Sequence, residues 1–170
     1  TIYAATVFAK YNSNGGLVWD KGVDGGNTGK GIDVDNSGNV YITGQFSSNI
    51  LFEISSGNLN LTPNGSSDIF LAKYDSDGNC VWAKTVGGSG NDTGVNITTD
   101  NSGYIYLSGN FSQTVDFDPN ASITNLTSNE GPKLFFAKYD ANGNLVWAKN
   151  VDSTSPEDSG GTTIDNSGNI

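Results

Sequence analysis

The chain has 170 residues and is strongly acidic, with 8 Lys and Arg against 18 Asp and Glu and a net charge of −10. This charge argues against nucleic acid as a partner, because phosphate recognition needs clustered Lys and Arg. Histidine is absent, which excludes His-based zinc sites and Ser-His-Asp triads. No apolar run reaches the roughly 20 residues of a membrane helix, so membrane insertion is not expected.

The composition favours turns and strands. Asn, Ser, Thr, Gly and β-branched residues dominate, and these residue types suit turns and pleated strands rather than helices. In chain order, residues 2–11 and 17–22 are predicted strands, and the Gly-rich residues 24–31 are a predicted loop. Residues 31–35 and 39–46 are the next predicted strands, so the sequence predicts an all-β fold.

A longer polar stretch follows, and a hairpin closes the unit. Residues 47–67 are predicted to hold an extra short hairpin or an ordered loop. The sequence DIFLAKYDSDGNCVWAKTV, residues 68–86, has two apolar runs around a turn rich in Asp, Asn and Gly. Asx and Gly residues accept left-handed backbone, so this stretch is a predicted β-hairpin. Its cysteine, Cys80, is predicted to be a small buried hydrophobe rather than a reactive thiol.

The hairpin occurs three times. Lys10, Lys73 and Lys138 lie 63 and 65 residues apart, and the Trp residues that follow them keep the same spacings. The sequence DNSG, which predicts a type I turn closed by Gly, also recurs every 65 residues. The insertion in the second copy covers residues 112–133. We therefore expect β-propeller blades of four antiparallel strands, about 65 residues per repeat.

The repeat boundaries follow from these spacings. Residues 1–23 are the predicted back half of a blade, 24–86 and 87–151 are two predicted blades, and 152–170 begin another. Both strand faces are apolar, so neighbouring blades should cover them. Two and a half repeats make an incomplete ring. Three readings stay open: a segment of a longer chain, several copies that complete a ring, or strand donation in a filament.

The repeated residues resemble those of a known family. The hairpin motif F-x-A-K-Y-[DN]-x-[ND]-G-[NG]-x-V-W and the turn motif D-N-S-G-N-[VI]-Y-[IL]-[TS]-G-x-F are similar to the SBBP-type bacterial β-propeller repeat. The resemblance covers nearly the whole chain. It implies a secreted or surface-exposed bacterial protein and no shared active site.

Several polar residues are candidate sites. Calcium candidates are Asp33 and Asp35, in a sequence similar to the start of a D-x-D-x-[ST]-G loop, and Asp75 and Asp77 at the hairpin turn. Turn stabilisation is the favoured interpretation of all four, since Asx side chains cap backbone N–H groups. No other cofactor is expected. Loop candidates for ligand binding are Asn27, Asp92 and Asp158, which should lie near the propeller axis.

Together with the resemblance, these features predict a non-enzymatic extracellular protein with a structural, adhesive or scaffold role, as part of a surface filament or a large secreted protein. Expected partners are other proteins or further copies, joined through open blade edges. A carbohydrate-binding propeller is the alternative, and a glycan-active enzyme is least favoured. The copies agree closely, without a chemically unusual residue that would mark an active site.

Overall fold

The computed structural model describes residues 4–151, 161–165 and 168–170, and every regular element in them is a β-strand. The ten strands are β1 (Ala4–Tyr11), β2 (Leu17–Val34), β3 (Val40–Ile54), β4 (Gly57–Leu61), β5 (Asp68–Tyr74), β6 (Cys80–Gly88), β7 (Thr93–Thr99), β8 (Ile105–Asp116), β9 (Asn125–Tyr139) and β10 (Leu145–Asn150). The prediction of an all-β fold is confirmed.

The strands form one sheet with two four-stranded stretches. Residues 27–34 of β2 pair with β3, then β3 with β5 and β5 with β6. The strands β7, β8, β9 and β10 repeat that order. All these pairings are antiparallel. The sheet folds back on itself, so that β7 lies against the face of β2, β3 and β5.

Three equivalent hairpins carry the repeated motif. The first hairpin is residues 4–24, the second is residues 68–88 and the third is residues 133–150. Their turns contain Gly15, Gly78 and Gly143 at φ 79°, 82° and 72°, which is the left-handed region that glycine adopts without strain. The predicted hairpin at residues 68–86 is confirmed.

The predicted loop at residues 24–31 is wrong, because β2 continues through it to Val34. Two bulges, between Gly25 and Asn27 and between Gly29 and Gly31, keep this stretch paired with β3. A β-bulge bends and twists a strand without ending the pairing. The glycines therefore mark bends in one long strand.

Both insertions are hairpins. The first consists of the end of β3 and of β4, with Glu53 opposite Asn58. The second is built from β8 and β9, with Val115 opposite Leu126. Each insertion also pairs with the preceding hairpin, the second through Gly88 and Val115. The predicted short hairpin in residues 47–67 is confirmed.

Two hydrophobic cores lie between the stacked parts of the sheet. One joins the first hairpin to β3, β5 and β6, and the other joins the face of β5 and β6 to β7, β8 and β9. Strand β5 is buried on both faces, as its sequence predicted. Cys80 is 5% exposed, and burial raises the pKa of its thiol to about 11. The expected burial of this cysteine is confirmed.

The mid-strand glycines serve contacts inside the sheet. A Cβ at Gly44 would overlap the carbonyl oxygen of Thr28, and one at Gly109 would overlap that of Thr93. The closest approach is therefore made by the backbone of the neighbouring strand in the same sheet.

A segment near the C-terminal end of the chain contacts β7 and β8. The carbonyl of Thr162 accepts a hydrogen bond from Asn96 Nδ2 at 2.8 Å, and the hydroxyls of Thr162 and Ser108 are 2.6 Å apart. Residues 161–165 thus lie against the second four-stranded stretch. The proposed repeat boundaries at residues 23, 86 and 151 stay predictions.

Candidate functional site: turns, loops and the joints between hairpins

The turn aspartates each bind their own turn. Asp35 Oδ1 accepts the backbone N–H groups of Ser37 and Asn39, both at 2.9 Å. Asp75 Oδ1 does the same with Asp77 at 3.0 Å and Asn79 at 2.8 Å. Hydrogen bonds from the side chain and the backbone of Asn79 lower the pKa of Asp75. This is the geometry of an Asx turn.

The other two calcium candidates have different surroundings. Asp33 Oδ2 accepts the backbone N–H of Thr99 at 2.6 Å and its hydroxyl at 2.8 Å, across the stacked sheet. Asp77 is exposed and contributes its amide to Asp75. Within the described residues, no three His, Cys, Asp or Glu side chains are placed to share a metal ion. Calcium binding stays a prediction, and turn stabilisation accounts for the contacts observed.

The loop candidates Asn27 and Asp92 are buried. Asn27 Nδ2 donates to the carbonyls of Val23 at 3.0 Å and Gly25 at 3.2 Å. Asp92 accepts the N–H of Gly88 at 2.8 Å through Oδ2, and Oδ1 accepts that of Ser112. Asn27 lies where the first hairpin passes into the part of β2 that pairs with β3, and Asp92 lies between β6 and β7. Both side chains hold the backbone at these junctions. Asp158 lies outside the described residues, and ligand binding at all three stays a prediction.

A second buried carboxylate, Asp68, was not singled out from the sequence. It is fully buried; Oδ2 accepts the N–H of Asn64 at 2.9 Å, and Oδ1 has no hydrogen-bond partner among the residues that the structure describes. The pKa of Asp92 is raised to about 6, mainly by burial and to a smaller extent by the negative charge of Asp68. Its two backbone hydrogen bonds oppose this shift. The sequence does mark Asp68 as unusual, because Lys133 occupies the equivalent position in the next copy. The copies therefore differ in charge at this position.

The repeated Lys and Trp residues form a joint between successive hairpins. Lys10 Nζ donates to the carbonyl of Ser76 at 2.9 Å, and Trp19 Nε1 donates to the same oxygen at 3.1 Å. Ser76 lies in the turn of the second hairpin. One main-chain oxygen therefore receives both repeated side chains of the preceding hairpin.

The same joint occurs one repeat later. Lys73 Nζ and Trp82 Nε1 donate to the carbonyl of Ala141, in the turn of the third hairpin, at 3.4 and 3.3 Å. Lys84 Nζ adds a 2.9 Å bond to the carbonyl of Gly143. The sequence showed these lysines and tryptophans as residues repeated at matching spacings. It did not give the acceptor, because a backbone carbonyl leaves no sequence signal.

Aromatic packing surrounds the first joint. The ring of Phe8 meets that of Tyr74 edge-on with centroids 4.9 Å apart, and it meets Trp19 at 5.9 Å. Edge-to-face contacts of this kind stabilise by about 0.5–1.5 kcal/mol beyond the buried area. The joint thus combines apolar contact with directional hydrogen bonds.

The third hairpin has a different environment. Lys138 Nζ donates to the hydroxyl of Tyr106 at 2.7 Å, lies 3.9 Å from Asp100 Oδ2 and stands 4.0 Å from the ring centre of Tyr104. These residues line a polar cleft of about 340 Å³ that Asp165 also borders. Tyr104 replaces the Asn of the DNSGN sequence and is 37% exposed.

These contacts define an all-β repeat protein whose repeated polar residues connect its repeats. No protein-family profile matches the chain. Over 148 residues, 82% of this chain and 11% of the relative, it is 28% identical to the uncharacterized WD repeat-containing protein L264 of Acanthamoeba polyphaga mimivirus. Over 83 residues, 49% of this chain and 9% of the relative, it is 28% identical to the regulatory protein FlaEY of Caulobacter vibrioides.

The chain thus spans about a tenth of the length of the two curated relatives. A repeat architecture is common to this chain and, by its name, to the viral relative. No helix in the described part of the chain is long and apolar enough to span a membrane.

Proposed function

We propose that the chain is a β-propeller repeat module of the SBBP type and acts as a non-enzymatic protein-interaction scaffold. The observation that carries the proposal is the joint, which recurs with the same donors and the same turn position. Repetition singles out Lys and Trp, and their contacts connect neighbouring repeats. Each four-stranded stretch is a blade in this proposal, and the WD-repeat relative is consistent with it.

A disulfide test addresses the stacking of the blades. Asn36 Nδ2 donates to Asn101 Oδ1 at 3.0 Å, and both residues are exposed. Stacked blades predict that a variant with Asn36→Cys and Asn101→Cys forms an intrachain disulfide under mild oxidation. Asn36→Cys alone is the matched control, since Cys80 is buried. Free thiols in the double variant would count against the stacking.

The proposed setting is extracellular or on a bacterial cell surface, as the resemblance implies. A net charge of −10 suits a soluble surface protein. Antibody labelling of intact source cells, compared with permeabilised cells, tests this setting. Labelling that requires permeabilisation would refute it.

Carbohydrate binding is the second candidate, and the cleft at Tyr104 favours it. A half-exposed aromatic ring beside Asp100, Lys138 and Asp165 offers a stacking face and hydrogen-bonding groups, the combination that places an aromatic side chain at a wet interface. A glycan array with the purified chain and Tyr104→Ala distinguishes the two functions. The scaffold proposal expects no saturable binding, whereas binding that the substitution abolishes would establish a lectin.

A further inference from the structure

A cavity lies beside the first joint, between the first hairpin, the first insertion and the turn of the second hairpin. It has a volume of about 570 Å³. Lys21 lines it from the first hairpin, Asn79 from the second and Ser55 from the tip of the insertion. Every lining residue lies between Asp20 and Cys80, so the cavity belongs to one internal joint whose walls are all present.

At the second joint, the tip of the insertion reaches the equivalent residues. Asn120 Oδ1 accepts a hydrogen bond from Lys84 Nζ at 3.2 Å, and Asn120 Nδ2 donates to Asn144 Oδ1 at 3.4 Å. Lys84 and Asn144 are the counterparts of Lys21 and Asn79 one repeat later. A single side-chain amide therefore connects the second insertion to both hairpins of its joint.

The two insertions differ in the length of their tips. Strands β3 and β4 stay paired up to Ile54 and Gly57, so residues 55–56 form a tight turn. In the second insertion, the backbone N–H of Phe117 donates to the carbonyl of Thr124, and residues 118–123 form a longer tip. The tight turn of the first insertion has no counterpart of Asn120.

The polar groups that Asn120 binds at the second joint are left open at the first. Lys21 Nζ makes no hydrogen bond or ion pair within the part of the chain that the structure describes. In that part of the chain, Asn79 donates through Nδ2 to its own turn, and its Oδ1 accepts no hydrogen bond. One donor and one acceptor therefore face the cavity without the amide that joins their counterparts.

The charge around the cavity selects among possible ligands. Three carboxylates and one ammonium group border it: Asp20, Asp24, Glu53 and Lys21. An anionic ligand would be repelled by this net negative border, because like charges at an interface are unfavourable. A neutral group that both accepts and donates hydrogen bonds suits the cavity better.

We propose that this cavity binds the side-chain carboxamide of an Asn residue in a loop of a partner protein. The amide oxygen would accept from Lys21 Nζ, and the amide nitrogen would donate to Asn79 Oδ1, as Asn120 does one repeat later. A carboxamide has both an acceptor and two donors, whereas a carboxylate only accepts. The inference rests on the proposed protein-interaction function and gives it a surface and a partner chemistry.

An NMR titration of the whole, isotope-labelled chain tests the binding. The probe is a blocked, uncharged peptide, Ala-Pro-Asn-Ala-Ser, which copies residues 118–122 with Ala in place of Asp118. Titration to about 5 mM covers weak, millimolar binding. Saturable shifts are expected at the backbone amides of Lys21, Ser55 and Asn79, and their absence would overturn the proposal.

Two substitutions test the predicted hydrogen bonds. Lys21→Gln is expected to weaken peptide binding about tenfold or more, as the loss of a hydrogen bond to a charged group does. Lys149→Gln is the matched control, because Lys149 occupies the same repeat position on the third hairpin and is exposed. A peptide with Asp in place of Asn should also bind about tenfold more weakly or worse. Equal losses in the two variants, or equal affinity for the two peptides, would overturn the binding mode.

A grafted tip tests the geometry of the cavity. A variant in which residues 55–56 are replaced by a copy of residues 118–123 should fill its own cavity and lose peptide binding. The NMR spectrum shows whether each variant is folded, and undiminished binding by a folded graft would overturn the proposal.

The remaining measurements separate this inference from its alternatives. The disaccharide N,N′-diacetylchitobiose carries the same amide chemistry on a sugar, and binding of the disaccharide but not of the peptide would overturn the assignment to a protein partner. If the disulfide of the Asn36→Cys and Asn101→Cys variant forms while the peptide fails to bind, the stacking of the repeats stands and only this inference falls.

Discussion

Removing one donor from an internal joint should cost measurable stability. Trp19→Phe deletes the N–H that reaches Ser76 at 3.1 Å and leaves an aromatic ring in place. A net hydrogen bond contributes about 0.5–1.5 kcal/mol, and the smaller ring loses part of the edge contact with Phe8. We expect a loss of about 1.5 kcal/mol, or roughly 3–6 °C in Tm for a chain of this size.

Trp147→Phe is the internal control for that measurement. It makes the same chemical change at the same repeat position, where the indole N–H has no acceptor among the described residues. Trp147 is partly buried, so the smaller ring also loses some contact, but in urea unfolding Trp147→Phe should cost less than Trp19→Phe by about one hydrogen bond, about 0.5–1.5 kcal/mol. Equal losses for the two variants would show that the hydrogen bond to Ser76 contributes nothing and would refute the joint.

Three further predictions concern pH, backbone space and calcium. The folded-state pKa of Asp92 is about 6 against an ordinary 3.8, so the contribution of this group to the free energy of unfolding falls as pH rises from about 4 to about 6. Replacing Asp92 by Asn should therefore become more favourable by about 2 kcal/mol between pH 4 and pH 7, measured by urea unfolding; a constant difference would refute the shift. Gly78→Ala should lower the free energy of unfolding by about 2–3 kcal/mol and Gly15→Ala by only about 1, since both residues have positive φ but only Gly78 lacks room for a Cβ. Equal losses would contradict the close packing of the Gly78 turn against Trp19 and Lys21. Calcium at about 1 mM, enough for extracellular-type sites, should leave Tm unchanged, and a clear rise would instead support a site at Asp35 or Asp75.

The repeat pattern allowed the hairpins to be predicted from the sequence. The turn at Asp75–Asn79 and the apolar runs on both sides encode a local structure, and β5 and β6 appear where they were expected. The path of residues 24–31 could not be read, because glycine permits a loop and a bulged strand equally. Pairing with β3 decides between them, and that pairing is not local.

The joints show the other limit of sequence reasoning. Lys10 and Trp19 were visible as repeated residues, but their acceptor lies 66 and 57 residues away and is a carbonyl that every residue carries. Asp68 shows a different limit. It departs from its counterpart Lys133, yet burial and a missing partner become evident only when the fold is known.

The main-chain acceptor in each joint has a consequence for how such a chain can grow. Ser76 and Ala141 receive the same two donors although their side chains differ. A turn placed correctly is enough, so substitutions at this position leave the contact intact. A duplicated or exchanged repeat would form the same hydrogen bonds without a compensating substitution in the neighbouring repeat. The arrangement therefore favours lengthening by whole repeats.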